Sequence, residues 1–231
     1  MNERAKSKCE QCIIRQFNSM RAMTHEELSK VSQCKEVRTI KKGEIIFKEG
    51  DALNGVFCVN SGISKLSKLS ENGKSQIVKL AGKGEILGQR SLIAREEANL
   101  TAEAIDDMEV CFISKEHILE PLDRNNEYST EMLRHLANEL KEADDVIVNM
   151  SHKSVKQRMA ACILYMNDMY GSDSEGFLNL VLSREDIADI VGTATESAIR
   201  MISDFKKQGL INTMGKRIKI VDFRKLQSMA Q

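Results

Sequence analysis

Two sets of residues in this 231-residue chain have types and spacings that could do chemistry. The first is cysteine. Cys9 and Cys12 form a CxxC in the segment SKCEQCIIRQF, and Cys34, Cys58, Cys111 and Cys162 follow at uneven intervals. Thiolates three apart can hold a soft metal or take part in thiol redox exchange. The second set is a charge pair, Glu196 and Arg200, which become neighbours on one face if their segment is helical. On an exposed helix, arginine can donate two hydrogen bonds to guanine O6 and N7, and glutamate can accept from the cytosine N4 amine. The same spacing also describes an ordinary surface ion pair. Enzyme chemistry has little to stand on. His25, His117, His135 and His152 are scattered without HxH or HExxH spacing, and no GxSxG, P-loop or GxGxxG occurs.

The elements that must position these residues change character along the chain. From about Cys34 to Ile113 short alternating segments are broken by glycines, and ENGK at 71–74 is a hairpin turn signal. Val37/Thr39, Ile45/Phe47, Val56/Cys58 and Ile63/Lys65 carry the period-two pattern of an antiparallel sandwich or barrel. After Lys115 the period lengthens. Leu133, Leu136, Leu140, Ala143, Ile147 and Met150 fall at alternating spacings of three and four, an a/d seam that asks for a partner helix and hence a symmetric dimer.

A further helix covers MSHKSVKQRMAACILYMNDMYG, and the loop GSDSEG precedes two short helices. Ser183 is placed to cap the first, with Glu185 and Asp186 in its opening turn. Ile187, Ala188 and Val191 make its inner stripe, Gly192 stops it, and Thr193 is a candidate cap for the next. Ala198, Met201, Ile202 and Phe205 face inward on the second helix, and Gly209 ends it. Two helices around a glycine turn make a helix-turn-helix, and the MGK turn that follows makes a β-hairpin wing.

Composition sets the class. The chain is 42% apolar and 29% charged, which is globular, and no stretch approaches the roughly 18 apolar residues of a membrane span. The N-terminal MNERAKSKCEQC lacks the apolar core of a signal peptide, so the expected compartment is the reducing cytoplasm, where thiols or ligands are favoured over disulfides. Net charge is zero but uneven: residues 1–150 carry 22 basic and 25 acidic side chains, whereas 206–225 carry seven basic residues against Asp222 alone. A basic C-terminal end attracts a phosphate backbone, or is simply a solvated face.

Across essentially its whole length the sequence resembles the Crp/Fnr family of bacterial transcription regulators. The resemblance rests on SREDIADIVGTATESAIRMISDFKKQGLI, on KKGEIIFKEGDALNGVFCVNSG and on GKGEILGQRSL. It implies an α+β fold. An N-terminal segment and antiparallel β-roll sensor would occupy 1–114, a dimerisation helix 115–151, and a winged helix-turn-helix 152–231. The implied function is sequence-specific reading of double-stranded DNA by a homodimer, with RNA polymerase as a further partner and no membrane. Glu196 and Arg200 would read a TGA-type half-site, with Thr195, Ser197 and Ile199 on the same face and Thr193 at its start; Ile199 can meet a thymine methyl. Ser183, Arg184 and Lys216 stand at phosphate-gripping positions, and Arg217 beside Lys216 is a candidate helper. A second reading keeps the β-roll as a ligand or redox sensor whose C-terminal helices bind protein instead.

The signal is less determined. Where cyclic-AMP-responsive members place a glutamate and an Arg-Ser pair, this chain has Gln89 and Ala98-Asn99, with Arg90 and Ser91 nearby. A cyclic phosphate needs a cation that Ala98 does not offer, which argues against cyclic AMP. The oxygen-sensing members hold an iron–sulfur cluster through a CxxC, a third cysteine about six residues on, and a distant fourth. Cys9, Cys12 and Cys111 match three positions, Asn18 stands at the other, and Cys34 is the nearest substitute. An iron–sulfur cluster, zinc or a thiol switch at Cys9/Cys12, and no ligand at all remain open. Cys58, Cys111 and Cys162 also read simply as small buried hydrophobes.

Overall fold

A computed structural model describes residues 8–71 and 73–231, so Asn72 of the expected ENGK turn and the first seven residues of the N-terminal segment lie outside the described residues. The chain divides into two compact units. One combines the chain up to Lys68 with Val78–Glu142, the other Leu69–Ile77 with Ala143–Gln231.

In the first unit, two four-stranded sheets make the roll. One runs β1 (Glu36–Ile40), β8 (Met108–Ser114), β3 (Gly55–Ser61), β6 (Ile86–Leu87). The other runs β2 (Ile45–Phe47), β7 (Thr101–Ala104), β4 (Ser64–Leu69), β5 (Ser75–Ala81). The strand period sorts side chains between two cores. Phe57 and Val59 of β3, with Met108 and Val110 of β8, bury toward Phe47, Leu87, Ala102 and Ala104. Val56 and Cys58, with Ile113, bury on the opposite side, where Cys111 packs beside them. That second core is closed by residues 9–23, which form short 3₁₀ turns, by α1 (His25–Cys34), by α3 (Glu116–Arg124), and by Tyr128 and Met132. The two cores need both faces of β3 and β8 to be apolar, which explains their imperfect alternation. Helix α1 starts in a Thr24/Glu27 capping box, and α2 (Gln89–Ala94) is a short turn between β6 and β7.

Helix α4 (Asn126–His152) is continuous through the expected seam. The second unit then holds α5 (Val155–Tyr170), α6 (Arg184–Val191), α7 (Thr195–Lys207), the hairpin β9 (Ile211–Met214) and β10 (Arg217–Ile220), and α8 (Phe223–Ala230). Its core gathers Met159, Ile163 and Met166 of α5, Ile187 and Val191 of α6, Ala198, Ile202 and Phe205 of α7, and Leu226 of α8, each buried. Among the described residues no helix is long and apolar enough to cross a membrane.

Candidate nucleic-acid interface and cysteine cluster

Helix α6 begins where Ser183 predicts it. Ser183 Oγ accepts from the Asp186 N–H at 2.9 Å, and the Asp186 carboxylate accepts from the Ser183 N–H at 3.1 Å. Such a cap is worth about 1 kcal/mol. Gly192 ends the helix at φ 69°, in the left-handed region that favours glycine, and a Cβ there would lie 3.2 Å from Met150 Sδ. The turn is correspondingly tight. Thr193 does not cap α7. Ala194 takes that position without a side-chain hydrogen bond, while the Thr193 N–H donates to the Ala188 carbonyl, so Thr193 belongs to the turn.

Helix α7 buries Ala198, Ile202 and Phe205 and turns Glu196, Ile199 and Arg200 outward, with Thr195 and Ser197 half-buried beside them. Arg200 donates to Ser197 Oγ at 3.2 Å, and among the described residues no ion pair joins it to Glu196. Both charges are therefore presented rather than spent on each other.

The wing treats its cations unequally. Lys216 is exposed at the tip. Arg184 donates from its guanidinium to the Gly215 carbonyl at 2.9 Å, which fastens the start of α6 to the wing turn. Arg217, the candidate helper, is engaged within the protein. It pairs with Asp173, lies 3.4 Å from Glu175, and sits 4.4 Å over the Phe177 ring, because the loop before α6 supplies these partners. In that loop burial pushes the Asp173 carboxyl up, but backbone N–H groups from Phe177 and Glu175 and the Arg217 charge outweigh it and hold Asp173 below its usual range.

On α4 the seam residues divide. Leu133, Leu140 and Ile147 are 67%, 65% and 62% exposed, Ala143 is also exposed, Leu136 packs partly on the first unit's core, and Met150 lies beside Gly192.

The residues at the cyclic-nucleotide positions are not brought together into a cationic pocket. Gln89 is 2% exposed and its Nε2 reaches Glu139 at 3.5 Å, Ser91 is buried, Arg90 points to solvent, and Asn99 offers its carbonyl to Lys68. Ala98 packs into the roll core, so that position itself offers no cation. Nearby, burial pulls the Lys79 ammonium down, yet the carboxylates of Glu85 and Glu139 outweigh it and hold it above its ordinary value.

Four of the six cysteines meet in the second core of the roll, and they are not the expected four. Cys9, Cys12, Cys58 and Cys111 share it, whereas Cys34 ends α1 exposed. Cys58 and Cys111 are direct cross-strand partners in the β3–β8 register. Burial, then Cys111, Cys12 and Cys9, push the Cys58 thiol up to about 12. Helix α1 carries Cys34 to the surface. Cys162 is buried in α5, where burial pushes its thiol up to about 12. Cys58 is buried, in keeping with its reading as a small hydrophobe, but its pairing with Cys111, far down the chain, has no local signal.

Comparison with known proteins fits this geometry. Residues 37–125 match the cyclic nucleotide-binding domain, and residues 157–229 match the Crp-like helix-turn-helix domain. The chain is similar to electron transport regulator A of Shewanella oneidensis, 30% identical over 197 residues covering 84% of this chain and 78% of that protein. It is also similar to the anaerobic regulatory protein of Haemophilus influenzae, 27% identical over 223 residues covering 94% and 86%. The transcriptional activator protein anr of Pseudomonas aeruginosa is 26% identical over 226 residues, covering 96% and 92%. Among solved structures, FixK2 of Bradyrhizobium japonicum shares the fold with a TM-score of 0.76 at 24% identity, covering 85% of this chain and 98% of that one. A crp/fnr-family chain from Eubacterium rectale does so at 0.78 and 20% identity, covering 93% and 99%. These relatives are regulators rather than enzymes, and the chain belongs to the Crp/Fnr family as a DNA-binding transcription regulator.

Proposed function

We propose that the protein is a cytoplasmic homodimeric transcription activator that reads a two-fold DNA site of TGA-type half-sites and takes its signal through cysteines rather than a cyclic nucleotide. Residues 1–114 act as sensor, 115–151 as dimerisation helix and 152–231 as DNA-binding domain. The observation that carries this is the outward, unpaired display of Glu196 and Arg200 on α7, between the capped α6 and the wing. In a major groove, Arg200 donates to guanine and Glu196 accepts from cytosine, while Thr195, Ser197 and Ile199 contact flanking atoms. Ser183 and Lys216 meet phosphate, and Arg184 holds the wing at its position.

The exposed Leu133, Leu140, Ala143 and Ile147 support dimerisation through α4. A dimer sets two recognition helices about 34 Å apart, one turn of DNA. RNA polymerase is the partner that activation requires.

The relatives' anaerobic role points to an iron–sulfur group, and the donor set suits one, since iron–sulfur clusters are held by thiolates. Cys9, Cys12 and Cys111 would hold it. Bound there, such a group supplies sensitivity to oxygen. The chain's own residues shield it: Ile14, Met20 and Ile113 surround the thiols with apolar side chains that exclude water.

Fluorescence anisotropy with a labelled duplex of two TTGA half-sites, against one with both cores scrambled, tests the DNA reading. Specific binding that is at least 1,000-fold tighter than to the scrambled duplex is expected. Equal affinity for both would overturn it in favour of a module whose C-terminal helices bind protein.

A further inference from the structure

The second core of the roll contains one thiol more than the three at family positions. Cys58 leaves β3 on the same face as Cys111 leaves β8, directly opposite it, among Cys9, Cys12 and Ile14. Asn18 is 5% exposed and is turned inward. Its Oδ1 accepts from the Met20 N–H at 3.0 Å, and its Nδ2 donates to the Gly84 carbonyl at 2.9 Å and to Cys58 Sγ at 3.7 Å. The residue that stands in place of a missing thiol therefore touches the sulfur that could replace it.

The spacing of the sulfurs bears on what they would hold. A tetrahedral zinc with four thiolates at about 2.3 Å brings its sulfurs to about 3.8 Å from one another. Among the described residues no three cysteine sulfurs lie within 4.8 Å of one another. A four-iron cluster takes its ligands wider apart, one cysteine sulfur to each iron.

We propose that Cys58 is the fourth ligand of an iron–sulfur cluster held with Cys9, Cys12 and Cys111, and that Asn18 donates an N–H to its sulfur. This rests on the reading that the cysteines carry the signal. On ligation each of the four thiols releases its proton to solvent and its sulfur donates an electron pair to one iron. No electron changes hands in that step. The strand-borne ligand also changes what the site reports. Two ligands come from the N-terminal segment and two from paired strands, so the cluster would tie residues 9–12 to β3 and β8. An N–H to the sulfur is the kind of outer contact that tunes such a centre.

The test is anaerobic reconstitution of the full chain with equal ferrous and ferric iron and with sulfide, read by visible absorbance and by iron and acid-labile sulfide content. A thermal melt of each variant checks that it folds. The wild type should take up iron and sulfide in equal amounts, and Cys34→Ser should match it. Cys58→Ser should lose most of both. Adding Asn18→Cys to Cys58→Ser should recover loading, because residue 18 faces the same spot. A folded Cys58→Ser protein that loads like wild type overturns Cys58 as a ligand and leaves the cluster standing. A wild type that takes up no iron and sulfide, or binds zinc without sulfide, overturns the cluster reading as well. Neither result touches the DNA reading, which the duplex titration measures separately.

Discussion

Lys79 Nζ lies 2.8 Å from Glu139 Oε1 and 3.0 Å from Glu85 Oε2, so an ammonium on β5 joins a neighbouring carboxylate to one on α4. Gln89 reaches the same Glu139 side chain, and its own Oε1 is buried without a hydrogen-bond partner among the described residues. The short turn that begins at Gln89 and strand β5 are thus both joined to the long helix through Glu139. Because the pair is only partly exposed, a double-mutant cycle with Lys79→Met and Glu139→Gln, read by urea midpoints, should give a coupling of about 1 kcal/mol. A coupling indistinguishable from zero would make the contact incidental.

Arg200→Ala should weaken binding to the TTGA duplex by about 1–3 kcal/mol and relax preference at one base pair only. Affinities for duplexes varied one position at a time are the measurement. A uniform loss across all of them would move Arg200 from base reading to backbone contact.

The two neighbouring wing cations should behave oppositely. Lys216→Ala should lower affinity for every duplex alike and reduce the salt slope by about 1. Arg217→Ala should leave the slope intact and lower the melting temperature instead, since Arg217 is committed to Asp173, Glu175 and Phe177. Equal effects on the slope would show Arg217 released to phosphate when DNA binds.

Asp173 gives that cluster a pH signature. Its folded carboxyl titrates below its ordinary value, so its stabilisation is fully present above the ordinary carboxylate range. It is lost as pH falls through the depressed folded value. Asp173→Asn should therefore narrow the gap in stability between neutral and acid pH relative to wild type, measured by urea titration at each pH. An unchanged gap would remove Asp173 as a contributor.

Leu140→Asp places a charge in the exposed stripe of α4 and should convert the dimer to monomer by sedimentation, with loss of two-fold-site binding. Leu136→Ala should act instead on the stability of the first unit, because Leu136 packs partly on that unit's core. An aspartate variant that sediments as wild type would place the interface elsewhere.

The helix-turn-helix was legible because its signals are local. Ser183 with Asp186, the left-handed Gly192 and the inward Ala198, Ile202 and Phe205 all act within a few residues of themselves. The long helix was legible in its period, though not in how Met150 turns to the Gly192 turn. What escaped depends on pairing at a distance. Arg217 looked free because its carboxylate partners lie in a loop more than forty residues earlier. Cys34 looked closer to the CxxC than Cys58 because the sequence does not reveal that β3 pairs with β8 in a register that sets Cys58 opposite Cys111. Helix α8 was not foreseen: its eight residues are too short for a clear period, and burial of Leu226 and Ala230 defines it.

The hydrogen bonds from Arg184 to the Gly215 and Lys216 carbonyls, 2.9 Å and 3.4 Å, have a mechanical meaning. A hairpin tip tethered only by its own two strands sways, and docking would have to arrest it at an entropic cost. Clasped by a side chain from the foot of α6, the tip arrives at the duplex already at the angle it will keep. In the proposed complex, the tip that would meet phosphate is thereby held to the helix that precedes α7.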